Sequence, residues 1–334
     1  METVKFRAMV VEQTGENSYR RSIQYRTLRQ LPEGDVLIRV AYSSLNYKDA
    51  LSATGNRGVT RNFPHTPGID CAGVVESSRL DRFKQGDRVI VTSYDLGMNT
   101  AGGFGEYIRV PGDWVVSLPD GLSLRDSMVY GTAGLAAAMS VYALVKTVKP
   151  EDGDVLVTGA SGGVGSIAVA LLAKLNYRVV AVTGKKDAAG FLTNLGAAGI
   201  ISRQEALAGS DKPIGKALWA GVVDTVGGEI LASALKSTGT NGVVTCCGNV
   251  ASAELAINVY PFILRGVSLV GIDTQNCPMD HRVSIWNRLA GDWKIDRLQE
   301  LAREVGLDRL SGEIDRILHG EQRGRVVIHV NEDI

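Results

Sequence analysis

Two stretches of this sequence carry residue types that do chemistry. The first is Asn46, Tyr47, Lys48 and Asp49, consecutive polar side chains that include an amide, a phenol and a carboxylate. An amide or phenol can donate to an oxygen that gains charge, and a phenol can deliver a proton. Two readings of this stretch stand. It is a loop facing the reacting end of a cofactor, or a helix cap in which Asn46 or Ser44 satisfies backbone N–H groups. The second stretch is Gly159, Gly162, Gly163 and Gly165 around Ser161. These glycines allow a sharp turn and remove the Cβ atoms that would hold a ligand off the backbone.

The flanking elements decide what the glycines can do. Val155, Leu156 and Val157 form an unbroken apolar run, as in a parallel strand covered on both faces. Residues 166–175 read as an apolar helix. Such a helix aims free N–H groups and its positive dipole end at the turn, which makes an anion site. The pyrophosphate of a dinucleotide is the natural occupant, and a second strand at 178–183 supplies the required context. In NAD-binding units a carboxylate ends that second strand. Here the strand runs into Thr183, Gly184, Lys185 and Lys186, with no carboxylate before Asp187. A hydroxyl, a glycine and two lysines suit a 2′-phosphate, so the sequence points to NADPH. The other reading makes both lysines ordinary solvated charges. Arg203, after Ile200 and Ile201, could add a further positive charge at the same end.

Length and composition bound the rest. The 334 residues suggest about two domains. With 36 basic and 36 acidic side chains the formal net charge is zero, which gives no footprint for nucleic acid or a membrane surface. No secretory leader is legible and no apolar run reads as a membrane span, so a cytoplasmic protein is expected. Cys71, Cys246, Cys247 and Cys277 form no C-x-x-C pair and read as reduced, buried thiols.

Residues 1–127 alternate short β patterns with turns, at 6–11, 35–40, 73–75, 87–92, 106–110 and 114–116, and suggest a barrel-like β domain. Arg57 and Arg61 lie on a glycine-bearing loop, where they could meet substrate phosphates or simply be solvated. From Met128 the pattern changes. A small-residue apolar helix spans 131–145, and strands at 154–158, 178–183, 198–201, 220–224, 242–248 and 267–272 then alternate with helices or loops. That is a doubly wound parallel sheet. Ligands sit at the carboxyl ends of such strands, which places Asn249 and Thr274 along the cofactor trough. The tail from Asn276 carries a helix with Trp286, Leu289 and Trp293, and an amphipathic pattern near 314–318. A last strand at 324–330 returns to pair with the first domain. The smaller domain is therefore read as discontinuous, 1–127 plus 276–334, with the nucleotide domain 128–275 inserted and Arg325 reaching the cleft between them.

With these motifs in place, the sequence resembles the medium-chain dehydrogenase/reductase superfamily over nearly its whole length. Residues 44–51, 67–73, 112–114, 158–165 and 261–265 look like its zinc-free acrylyl-CoA reductase branch, often described as quinone oxidoreductase-like. The resemblance implies a doubly wound parallel Rossmann sheet inserted into a smaller GroES-like β-barrel domain. It implies NADPH-dependent reduction of the 2,3-double bond of acrylyl-CoA to propionyl-CoA. The alternatives are quinone or alkenal reduction and an NADPH-binding protein without catalysis. Tyr47 matches a tyrosine at the nicotinamide. Ser161, Gly162, Gly163 and Val164 match the pyrophosphate turn, and Thr183, Gly184 and Lys185 the 2′-phosphate clamp. Arg203 and Arg325 match further cofactor contacts. Asn46, the Tyr47 hydroxyl or backbone N–H groups are the candidate donors to the reacting oxygen, and Asp49 would orient the loop. Arg57 and Arg61 are the candidates for the CoA phosphates. The clamp usually ends in Arg where Lys185 stands, and a Trp usually occupies the position of Ala101, next to the substrate pocket. Ile69 stands where zinc members place a His, and their four-cysteine lobe is missing, so no metal is expected. Relatives commonly pair their nucleotide sheets edge to edge, which makes a homodimer the expected assembly.

Overall fold

The computed structural model describes residues 4–331. It divides into one unit of Met1–Thr132, Thr274–Ala290 and Arg297–Ile334, and a second of Ala133–Asp273 and Gly291–Asp296. The segment around Trp293 thus joins the second unit, where its ring lies 6.4 Å from that of Tyr142 and Lys174 binds Asp296 at 3.0 Å.

In the first unit β1 (Lys5–Gly15) and β2 (Ser18–Thr27) form an antiparallel hairpin. Then come β3 (Val36–Ser44), α1 (Tyr47–Ser52), β4 (Asp70–Ser78), β5 (Arg88–Thr92), β6 (Tyr107–Val110) and β7 (Val116–Ser117). β2 is absent from the sequence reading because Arg20, Arg21 and Arg26 interrupt its apolar alternation. Alternate residues of β3, Val36, Ile38 and Val40, share one buried face with Val89 and Val91 of β5 and with Ile108 and Val110 of β6, the period of a pleated strand.

Helix α2 (Leu124–Val145) breaks at Gly131, whose φ of 52° and ψ of −155° are not helical. Contrary to expectation, α2 is long and apolar enough to cross a membrane, but its apolar window is 78% buried inside the protein, as in a core helix.

The second unit follows with β8 (Val155–Val157), α3 (Gly163–Lys174), β9 (Val179–Val182), α4 (Ala189–Asn194), β10 (Gly199–Ile201), α5 (Arg203–Ala206), β11 (Trp219–Asp224), α6 (Gly228–Lys236), β12 (Thr238–Cys246), α7 (Tyr260–Arg265) and β13 (Ser268–Gly271). Its six strands are all parallel, in the order β10-β9-β8-β11-β12-β13. This is the doubly wound Rossmann sheet expected, with helices as crossovers.

The chain then returns to the first unit through α8 (Met279–Ala290), β14 (Ala302–Gly306), α9 (Leu310–Leu318) and β15 (Arg325–His329). β15 pairs antiparallel with β3 and parallel with β14, giving a seven-stranded sheet in the order β14-β15-β3-β4-β5-β7, with β6 also on β3. The return of the last strand to the first unit is as read from the sequence; β14, short and half polar, is not.

Candidate functional site

In the second unit, β8 delivers the glycine turn at its carboxyl end. Gly159 has φ 59°, and a Cβ there would run into the Thr225 hydroxyl and lie 2.8 Å from Val226 Cγ1. At Gly165 a Cβ would lie 2.7 Å from Ala160 Cα, so α3 packs on the turn with no room for a side chain. Gly162 is the N-cap of α3 and no side chain caps it, which leaves first-turn N–H groups for a ligand. Ser161 Oγ lies 3.0 Å from Thr183 Oγ1, which also accepts from Lys185 N at 3.1 Å. That contact joins the glycine turn to the end of β9.

Arg203, the first residue of α5 after β10, lies over Gly184. A Cβ on Gly184 would be 2.8 Å from Arg203 Nε and 2.9 Å from its Cζ. Glycine here makes room for the guanidinium, which has no hydrogen-bond or ion-pair partner among the described residues. The structure thus gathers Ser161, Gly162, Gly163, Val164, Thr183, Gly184, Lys185 and Arg203 at the carboxyl ends of the adjacent strands β8, β9 and β10. Asn249 is exposed past the end of β12, beyond Gly248, which packs on the Thr225 backbone. Sequence reasoning missed Asp224, the buried last residue of β11. It accepts from Thr158 Oγ1 at 2.7 Å and from Gly227 N at 2.8 Å, and so ties the strand ends beneath the turn. Burial pushes its carboxyl up.

In the first unit, Asn46 is the N-cap of α1 and Tyr47 its first residue. Tyr47 is 37% exposed and its hydroxyl has no protein partner among the described residues. Lys48 Nζ lies 3.4 Å from Gln275 Oε1.

Asn46 is placed differently from the donor expected. It is buried, with Nδ2 donating to Asp70 Oδ2 at 2.7 Å, to Ser44 O at 3.2 Å and to Asp49 Oδ2 at 3.3 Å. Its amide is spent inside the protein: Asn46 stands at the N-cap position of α1, but its Oδ1 accepts from Arg325 and its side chain makes no cap hydrogen bond to the helix. Asp49 is also buried, accepting from Asn46 N and Ile69 N, each at 2.8 Å. Burial, then the nearby charge of Asp70, pushes its carboxyl up to about 7. It is bound to the backbone on both sides of the loop and does not face outward.

Arg325 is a further correction. It is 2% exposed, and it donates to Val129 O (3.1 Å), Leu45 O (3.0 Å), Asn46 Oδ1 (3.3 Å) and Ser44 Oγ (2.8 Å). These bonds take up the guanidinium, so it is a buried brace and not a displayed cation. Thr274 belongs to the first unit, where its Oγ1 accepts from Ser93 Oγ at 3.2 Å and its carbonyl accepts from Arg282 at 2.5 Å.

Arg57 donates to Gln13 Oε1 at 2.8 Å and to the Arg61 carbonyl, with Cζ 5.4 Å from the centroid of the Phe63 ring. Its cation is therefore partly committed to local structure. Arg61 is exposed with no side-chain partner among the described residues. Ala101 packs beside Phe6, Leu28 and Leu31, next to a cavity of about 20 Å³ that Phe6, Leu31 and Tyr107 also line. Ala101 is thus packed against that apolar cluster.

Among the described residues no group of three or more His, Cys, Asp or Glu could hold a metal ion. All four cysteines are free, and burial pushes the Cys247 thiol up to about 12.

Two family profiles match the chain: the alcohol dehydrogenase GroES-like domain over residues 32–120 and zinc-binding dehydrogenase over residues 163–289. The chain is 47% identical to the putative quinone oxidoreductase YhfP of Bacillus subtilis, with 97% of this chain and 98% of that protein covered. It is 43% identical to the probable acrylyl-CoA reductase AcuI of Escherichia coli, over 93% of this chain and 95% of that one. The crystal structure of the YhdH oxidoreductase of Salmonella enterica in complex with NADP superposes with a TM-score of 0.94 at 43% identity, covering 97% of this chain and 100% of that one. That of B. subtilis YhfP with NAD bound superposes with a TM-score of 0.95 at 46% identity, covering 98% and 100%.

Proposed function

The chain belongs to the medium-chain dehydrogenase/reductase family, and from that premise we propose that it is an NADPH-dependent reductase of the 2,3-double bond of a short α,β-unsaturated acyl-CoA, acrylyl-CoA to propionyl-CoA. The observation that carries the cofactor assignment is the end of β9. Thr183, Gly184, Lys185 and the unpartnered Arg203 guanidinium would meet a 2′-phosphate, and no carboxylate takes its place. The N–H groups at the start of α3 and the turn Ser161–Val164 would hold the pyrophosphate. Asn249 and Thr274 are further candidate contacts. Support for the thioester comes from the likeness to the acrylyl-CoA reductases of E. coli and of Ruegeria pomeroyi, the latter 42% identical over 98% of this chain.

Bound NADPH supplies a hydride, delivered to the β-carbon of the alkene. Negative charge then gathers on the thioester oxygen as an enolate, and a donor aimed at that oxygen lowers the barrier most where water is scarce. The free Tyr47 hydroxyl is the candidate donor, and Tyr47 or water delivers the proton to the α-carbon. Asn46 and Asp49 act by holding Tyr47. Arg61 is the remaining candidate for a CoA phosphate. Tyr47→Phe should lower kcat with little change in NADPH affinity; unchanged turnover would remove Tyr47 from this role.

The second reading, quinone reduction by the same hydride chemistry, is favoured by the name of the 47% identical relative. NADPH oxidation with acrylyl-CoA and, separately, with a simple quinone discriminates the two.

A homodimer is part of the proposal. β13 is the last strand of its sheet, and Leu269 on it and Ile263 and Leu264 of α7 are exposed apolar side chains, the latter two at 68% and 64%. An edge strand flanked by such a patch invites pairing with a second copy. Ile263→Asp should shift the mass in light scattering towards the monomer, and an unchanged mass would relocate the interface.

A further inference from the structure

Under α1 lies a fully buried carboxylate, Asp70, on which three separated parts of the first unit converge. It accepts from Ser44 Oγ at 2.6 Å, Asn46 Nδ2 at 2.7 Å, Thr132 Oγ1 at 2.6 Å and Thr132 N at 2.9 and 3.0 Å. Arg325 Nη2 lies 3.8 Å away. A carboxylate has about four lone-pair sites, and these bonds fill them. Bonds to an ionised acceptor are about twice as strong as neutral ones, and more so away from water.

The backbone is shaped around this group. The break of α2 at Gly131 leaves the Thr132 N–H free to donate to Asp70 instead of into the helix. A Cβ on Gly131 would strike Asp70 Oδ2 and lie 2.5 Å from Ser44 Oγ and 3.0 Å from Arg325 Nη2. Every polar atom of the Asn46 amide is engaged as well, with Nδ2 shared by Asp70, Ser44 O and Asp49, and Oδ1 receiving Arg325 Nη1. The N-cap of α1 is therefore clamped from both sides, and the hydroxyl of the next residue in the chain, Tyr47, has no partner among the described residues.

We propose that Asp70 is a positioning residue for the reaction: it fixes Asn46 as the cap of α1 and so sets where the Tyr47 hydroxyl stands. This rests on the proposed role of Tyr47. It assigns the buried Asp70–Arg325 pair a task in turnover beyond packing. A donor misplaced by about 1 Å can cost on the order of 100-fold in rate.

The test is a double-mutant cycle with Asp70→Asn and Tyr47→Phe, read as kcat with acrylyl-CoA, NADPH affinity by fluorescence titration, and thermal stability. Asp70→Asn alone should lower kcat by about 10- to 100-fold, with the NADPH dissociation constant within about twofold. In the Tyr47→Phe background it should lower kcat by no more than about twofold, because the group it positions is already gone. Equal losses in both backgrounds would overturn the proposal, as would an Asp70→Asn enzyme with full kcat. Should Asp70→Asn fail to fold, Thr132→Val removes one hydroxyl donor and is read through the same cycle, with a smaller loss that must again vanish without the Tyr47 hydroxyl. Full activity of Tyr47→Phe itself is a different result, which rejects the role of Tyr47 and not the geometry around Asp70.

Discussion

Replacing Arg203 by Ala tests the NADPH assignment at one atom group. The guanidinium stands over Gly184, exposed and unpartnered among the described residues. A charge-assisted hydrogen bond is worth about 1.5–3 kcal/mol when sheltered, and an exposed ion pair about 0.2–1 kcal/mol. A phosphate of nearly two charges at an open site falls between, at about 1.5 kcal/mol, or roughly tenfold in affinity. Arg203→Ala should therefore weaken NADPH about tenfold and NADH by less than about twofold, since NADH has no 2′-phosphate. Gly184→Ala reaches the same group differently. Its Cβ would sit 2.8 Å from Nε and 2.9 Å from Cζ, and a flexible side chain yields to that, so a smaller loss of about threefold is expected. Fluorescence titration of both nucleotides at low and high salt reads the effect, and the NADPH-specific part should shrink with salt. Equal weakening of NADPH and NADH, or none, would refute a phosphate contact at Arg203.

Gly165→Ala should act on both nucleotides alike. Its Cβ would meet backbone, 2.7 Å from Ala160 Cα and 2.8 Å from Gly159 C, so the turn must open, at about 1–3 kcal/mol of stability; differential scanning calorimetry should show a lower Tm and titration at least about tenfold weaker binding of NADPH and NADH. Asp49→Asn should change the pH dependence of stability. The Asp49 carboxyl is raised from 3.8 to about 7, so as pH rises from about 4 to about 7 the unfolded chain gives up this proton first and the wild-type protein loses up to about 1.4 kcal/mol per pH unit from this group. The asparagine variant lacks that slope, and urea unfolding across the window should show the gap between the two proteins narrowing as pH rises; parallel curves would contradict it. Ser44→Ala leaves Arg325 Nη2 and Asp70 Oδ2 each short of a buried partner and should cost about 1–3 kcal/mol in the same assay.

The legible parts of this protein are those written locally. Val155 to Leu175 carries its strand, turn and helix in one stretch, and the parallel strands of the second unit are short apolar runs that need no partner to be recognised. The lysine-bearing end of β9 is equally local. What failed to show is built across the chain. Asp70 stands between Ile69 and Cys71 in a strand, and nothing in that neighbourhood announces that Ser44, Asn46, Thr132 and Arg325 will surround it. For the same reason Arg325 reads as a cation displayed to the cofactor, and Asn46 as a free donor, until their partners are known. β2 was hidden by its arginines, of which Arg20 is exposed while its neighbour Arg21, on the opposite face, is part-buried against Asp315. Arg57 reads as a phosphate ligand only if Gln13 and Phe63, more than forty residues earlier and six later, are left out.

The most direct measurement of the central claim is the rate of NADPH oxidation by the purified protein, followed at its near-ultraviolet absorbance, with acrylyl-CoA and with a simple quinone, each repeated with NADH. The account predicts rapid turnover with acrylyl-CoA and NADPH, little with NADH, and a far lower kcat/KM for the quinone. Turnover with the quinone alone would contradict the thioester assignment, and equal rates with NADH would contradict the clamp formed by Thr183, Gly184, Lys185 and Arg203.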